Sequence, residues 1–172
     1  MNLDSAYFDV LRVRRILVPV DFSMCTLGTL RYAGRMARQF HATVSLLHVM
    51  PMYIHRSYDS DTAGMWTRTA CESCQTELDR LAEILKAVEI PTLTMVRTGP
   101  PLEMILGEAE NLGVDLIVMG RRGRGWLSRL LRHHTVDRVI RRAQCPVMVI
   151  RSGVDDFGPH AKDEDQKLLW AV

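Results

Sequence analysis

The residues best placed to do chemistry are glycines and arginines behind an apolar run, Asp115-Leu116-Ile117-Val118-Met119-Gly120-Arg121-Arg122-Gly123-Arg124-Gly125. Leu116 to Met119 read as a strand covered on both faces. The glycines at 120, 123 and 125 allow the positive φ angles that other residues resist. A loop of this kind can gather several N–H groups around one anion. The apolar-periodic residues after it read as helical, and a helix N-terminus also attracts negative charge. Eight arginines (121, 122, 124, 129, 132, 138, 141 and 142) fall between Gly120 and Arg142, against one acid, Asp137. Such a patch suits phosphate, nucleic acid or an acidic partner. A solvated helix face accounts equally well for Arg138, Arg141 and Arg142.

Other reactive residues carry weaker signals. Cys71-Glu72-Ser73-Cys74 has the spacing of a redox pair or half a zinc site, but no second Cys/His pair with metal spacing accompanies it. Both cysteines lie on an apolar helical stripe, so packing as small hydrophobes is the simpler reading. Cys25 and Cys145 read the same way. His133 and His134 are adjacent, so on a helix they point to different faces and make a poor metal pair. His48 reads as a strand residue. No Ser-His-Asp order and no pair of carboxylates at one strand end suggests a catalytic centre. The arginine-rich segment has only Trp126 for base stacking, so its chemistry disfavours a nucleic-acid ligand.

The elements that position these groups alternate. Arg15 to Val20 reads as a first buried strand, with Pro19 near its end because proline cannot donate to a ladder. Asp21 follows, and Ser23 offers an N-cap for a helix to about Gln39. Leu27, Leu30, Gly34 and Ala37 form its inner face, small enough in part to lie close to a sheet. Thr43 to Met50 is the second strand. A long helix from about 62 to 88 carries Cys71, Cys74, Leu78, Leu81, Leu85 and Val88 as one stripe. Pro91 to Arg97 is the third strand. Leu102, Ile105, Leu106, Ala109 and Leu112 mark a third helix, stopped by Gly113. The strand at Leu116 is the fourth. Leu127 to Arg132 suggests a helical turn, and Val136, Val139, Ile140 and Ala143 a final helix. Cys145 to Arg151 is the fifth strand. Such alternation predicts an α/β fold: a five-stranded parallel sheet with helices on both faces. Ligands in such sheets bind beyond the carboxyl ends of the strands, where the strand order reverses. Val20-Asp21, Val49-Met50 and Met119-Gly120 all fall at such ends.

The chain's 172 residues, 47% hydrophobic and 24% charged, suit one ordinary domain. Residues 1–13 read as a lead-in, 14–151 as the domain and 152–172 as a polar tail. The N-terminus shows no signal-peptide core and no run is long enough to span a membrane, so the expectation is a cytoplasmic protein. The tail sets Asp155, Asp156, Asp163, Glu164 and Asp165 against two lysines. This opposition to the arginine-rich loop suggests that the tail folds over it.

Four stretches together resemble the universal stress protein family: Ile16-Leu17-Val18-Pro19-Val20-Asp21-Phe22-Ser23, Leu46-Leu47-His48-Val49, Gly113-Val114-Asp115-Leu116-Ile117-Val118-Met119-Gly120, and Cys145-Pro146-Val147-Met148-Val149-Ile150. The resemblance implies a Rossmann-like sheet of the adenine nucleotide α-hydrolase kind. It also implies a homodimer through the last strand, Val147 to Ile150, and a regulatory role in the stress response rather than catalysis. One branch of the family binds ATP and another does not. In the binding branch an aspartate matching Asp21 lies near the nucleoside and the backbone at Val49 meets adenine, with Val20 and Met119 lining the pocket.

The phosphates in that branch sit on a signature of Gly, two residues, Gly, nine residues, then Gly and Ser or Thr. Gly120 and Gly123 match its first half. His133 stands where the second-half glycine belongs and His134 at the hydroxyl position, with Thr135 one residue late. Two readings follow. In one, bulk at His133 and at Trp126 has degraded the phosphate site. In the other, the histidines donate to phosphate themselves, with Arg124 and Arg132 nearby in sequence to bind it bidentately. The second predicts weak binding of ATP or AMP, with Mg only alongside ATP, and at most weak hydrolysis. The first leaves a nucleotide-free dimer acting by protein contact. A nucleotidyl transferase of related fold is disfavoured, because Pro-Val-Asp-Phe-Ser is neither H-x-G-H nor S-G-G.

Overall fold

Branched and long aliphatic side chains recur in five short runs, and each run forms a strand. The computed structural model describes residues 12–51, 60–121 and 133–151, and for 60–67 and 133–134 the backbone only. In chain order the elements are β1 (Arg15–Val20), α1 (Thr26–Phe40), β2 (Thr43–Met50), α2 (Ser60–Lys86), β3 (Thr92–Thr98), α3 (Pro101–Asn111), β4 (Leu116–Arg121), α4 (His133–Arg142) and β5 (Val147–Arg151). All neighbouring strands are parallel, in the order β3-β2-β1-β4-β5.

The central strands send alternate side chains to opposite layers, as a period of two requires. Ile16, Val18, Val44, Leu46 and Val118 pack with Leu30, Ala33 and Leu78 on the α1–α2 side. Leu17, Leu47, Ile117 and Met119 pack with Leu102, Ile105, Val136 and Val139 on the α3–α4 side. Burial on both faces explains why β1, β2 and β4 read as continuous apolar runs.

Several boundaries differ from the sequence expectation, each for a local reason. The N-cap of α1 is Cys25 rather than Ser23, whose Oγ instead accepts the Cys25 N–H at 3.4 Å in the turn before the helix. Phe22 takes a left-handed φ of 52° and Asp21 Oδ1 accepts the Ser23 N–H at 3.0 Å, so residues 21–25 form a turn before the helix starts. On α1 the buried stripe includes Thr26, Thr29, Leu30, Ala33, Gly34 and Ala37, whereas Leu27 is exposed. Gly34 does let a neighbour approach, but that neighbour is α2: a Cβ there would lie 3.0 Å from Leu85 Cδ2. On α4, Val136 and Val139 are buried while Ile140 faces outward. The chain enters β5 only at Val147, after the Pro146 carbonyl has accepted the Ile117 N–H at 3.0 Å. Gly113 does end α3, with a φ of 56° and the Val114 N–H returning to the Ala109 carbonyl at 2.8 Å.

Candidate functional site

The strand order reverses between β1 and β4: β2 and β3 continue to one side, β4 and β5 to the other. There the two central strands part company. β1 stays paired with β2 as far as Val20↔His48, and β4 with β5 as far as Arg121↔Arg151, but the β1–β4 ladder ends at Leu17↔Ile117. Pro19 supplies the cause. The Arg14 carbonyl faces β2, where it accepts the Thr43 N–H at 2.8 Å, and the Arg15 carbonyl faces β4, where it accepts the Asp115 N–H at 2.9 Å. Directions alternate along a strand, so position 19 faces β4, and proline has no N–H to give. The result is a fork in the pairing toward the carboxyl edge: beyond Leu17↔Ile117 no rung of the ladder joins β1 to β4.

The first prong is tied outward. His48 Nδ1 lies 2.8 Å from the Val20 carbonyl. A carbonyl only accepts, so Nδ1 carries the proton. The same imidazole lies against the Phe22 ring, with centroids 4.5 Å apart and planes at 35°. Thus the end of β1 and the left-handed Phe22 turn are both held to β2. His48 looked like an ordinary strand residue in the sequence, and only the pairing Val20↔His48 reveals it as a positioning group.

The second prong leans on α1. Gly120 is the fifth residue of β4, and its φ is not positive, so the sequence expectation of a turn starting there is corrected. What Gly120 provides is room. A Cβ would stand 2.6 Å from Thr29 Oγ1 and 3.2 Å from Cys25 Cβ. Thr29 is buried and its hydroxyl donates to the Cys25 carbonyl at 2.8 Å. In the first turn of α1 the Thr26 hydroxyl is also buried, and has no hydrogen-bond partner among the described residues.

The candidate residues divide by what they can offer. Asp21 is exposed at the tip of β1, with one carboxylate oxygen held by the Ser23 N–H. Val20 and Met119 bury their side chains in opposite layers, so at the fork they present backbone. Val49 is half-buried near the end of β2. α4 must start at the carboxyl edge to run back and feed a parallel β5, which brings His133, His134 and the half-buried Thr135 to the same edge as Gly120. Arg121 and Asp137, 3.7 Å apart and partly exposed, link the end of β4 to α4. Gly123, Arg124, Trp126 and the expected turn at 127–132 lie outside the described residues, as does the acidic tail. A separate recess of about 350 Å³, lined by Ala37, Arg38, His41, Glu89 and Pro91 among others, sits at the opposite, amino edge of the sheet.

All four cysteines are free thiols. Burial, and then the neighbouring Cys71, push the Cys74 thiol above its ordinary range; burial does the same for Cys145. Because only thiolate is alkylated, iodoacetamide should modify Cys74 and Cys145 more slowly in the folded chain than in the urea-unfolded chain near pH 8, with midpoints displaced upward. The raised thiols favour the folded state below their unfolded pKa, and that contribution disappears as pH rises through the folded value. Equal rates folded and unfolded would contradict this.

The sequence profile of the Universal stress protein family matches residues 12–151. Universal stress protein MJ0531 of Methanocaldococcus jannaschii is 28% identical over 141 residues, 80% of this chain and 82% of that protein. The solved structure of MJ0577, a universal stress protein of the same organism, superposes with a TM-score of 0.72 at 26% identity, over 83% of this chain and 97% of that one. A universal stress protein of Archaeoglobus fulgidus solved in complex with dAMP shares the fold, with a TM-score of 0.56 at 19% identity over 82% and 99% of the two chains.

Proposed function

The chain belongs to the universal stress protein family, and from that premise we propose that it is a regulatory stress-response module that binds an adenine nucleotide, ATP or AMP, in the β1–β4 fork. The observation that carries the reading is the early end of the ladder at Leu17↔Ile117, with Pro19 on one wall and the bare Gly120 on the other. Asp21 would take the ribose hydroxyls and the Val49 backbone the adenine edge. Gly120, Gly123 and the 133–135 segment would meet phosphate, with the start of α4 adding its dipole. The dAMP held by the A. fulgidus protein supports an adenine ligand for this fold. Asp21 is the one acid among these residues, which supports a binding role over turnover and leaves Mg only the phosphates of ATP as a partner set.

A homodimer through Val147–Ile150 completes the proposal. β5 is an edge strand whose Val147, Met148 and Val149 stay half-exposed in a single chain, an edge that proteins commonly cover. No helix among the described residues is long and apolar enough to cross a membrane, in keeping with a cytoplasmic place of action.

Calorimetric titration with ATP and AMP, repeated on His133→Gly plus His134→Ser, tests this reading. The expected result is measurable binding by the natural chain. Loss of ATP affinity in the double variant would assign phosphate contacts to the histidines, and a gain would show that they obstruct the loop. Absence of binding in both forms would favour a second reading, a nucleotide-free signalling dimer, for which the departure of His133 and His134 from Gly-Ser/Thr already speaks.

A further inference from the structure

We propose that Cys71, Cys74 and Met50 form a three-sulfur site for copper(I). The two cysteines stand three apart on α2, so their side chains leave the same face of the helix. Both are half-buried free thiols. The Cys71 thiol is directed at the thioether of Met50, with Sγ and Sδ 3.5 Å apart. Met50 is buried at the end of β2, where pairing with Thr98 of β3 fixes its backbone. A rigid strand therefore presents one sulfur to a helix face that carries two more.

The donor set selects the metal. Among the described residues no group of three or more His, Cys, Asp and Glu converges anywhere, which leaves hard and borderline dications without their usual shell. Zinc in a structural site takes four N or S ligands. Two thiolates and a thioether are soft donors suited to copper(I), which accepts two or three sulfurs. Binding is a ligand exchange without change of oxidation state: copper arrives as Cu(I), two Cu–S thiolate bonds and one Cu–S thioether bond form, and two thiol protons leave to the buffer. Packing alone accounts for half-buried cysteines, but it does not require one of a same-face pair to direct its thiol at a buried methionine sulfur.

The test uses the full, reduced chain under anaerobic conditions, with Cu(I) titrated against the chromophoric chelator bicinchoninate and the bound metal read by X-ray absorption. One copper per chain with three sulfur neighbours is expected. Cys71→Ser plus Cys74→Ser should abolish the competition, while Cys25→Ser plus Cys145→Ser should leave it intact. Met50→Leu conserves volume and should reduce the sulfur shell to two and weaken retention at least about tenfold, the low end already seen when only an outer partner of a metal ligand is lost. Thermal melts of the variants separate lost binding from lost fold. Copper retained by the Cys71/Cys74 variant, or an unchanged sulfur count in Met50→Leu, would overturn the assignment.

Discussion

Gly120→Ala is expected to destabilise the domain by about 1–3 kcal/mol and to weaken adenine-nucleotide binding at least tenfold. The methyl group would stand 2.6 Å from Thr29 Oγ1 and 3.2 Å from Cys25 Cβ. Neither neighbour yields easily. The Thr29 hydroxyl is committed to the Cys25 carbonyl and both residues are buried at the start of α1. Relief therefore requires the end of β4 to move into the fork or α1 to lift away, and either motion changes the shape of the site. For a domain of this size the loss should lower Tm by about 2–4 °C per kcal/mol. Adding Thr29→Ala removes the closest atom, so the double variant should recover part of both stability and binding, with coupling of about 0.5–3 kcal/mol. Strict additivity would place the cause of Gly120→Ala elsewhere.

Pro19→Val separates binding from stability. Valine restores an N–H on the side of β1 that faces β4, so the ladder that stops at Leu17↔Ile117 can take another rung. The added bond contributes about 1 kcal/mol. Losing the restriction that proline places on the unfolded chain costs about 0.4–1 kcal/mol. Stability should change little, while the fork closes and nucleotide affinity falls about tenfold or more, about 1.4 kcal/mol being a factor of ten. Hydrogen exchange gives an independent reading: the amide that the substitution creates at position 19 should exchange slowly. Rapid exchange there with unaltered affinity would show that Pro19 does not hold the fork open.

Architecture was legible in the chain because the apolar runs are long and clean. β2 occupies the expected Thr43–Met50, and the fold class follows from alternation alone. Ends of elements were less legible where tertiary contacts override local preference. Ser23 has N-cap chemistry, yet the left-handed Phe22 and the Asp21 turn delay α1 to Thr26. Leu27 and Ile140 fit helical periodicity but fall one step round from the buried stripe. At the site, sequence identified Asp21, Val49, Met119 and Gly120 as strand-end residues but misread how Gly120 acts. Glycine serves positive φ and close approach alike, and nothing local distinguishes them. Two contributors were hidden for want of pairing information. The facing of Pro19 depends on register with β4, and the role of His48 depends on its position opposite Val20. The Cys71–Met50 contact, across 21 residues, was likewise invisible to spacing.

Amide chemical shifts of the ¹⁵N-labelled chain during titration with AMP report where on the sheet the nucleotide binds. Binding in the carboxyl-edge fork produces progressive, saturable shifts at Asp21, Val49, Met119 and Gly120, while Thr43 and Asp115 at the amino edge stay still. Shifts confined to the amino-edge recess around Arg38 and Glu89, or none at millimolar AMP, would contradict it.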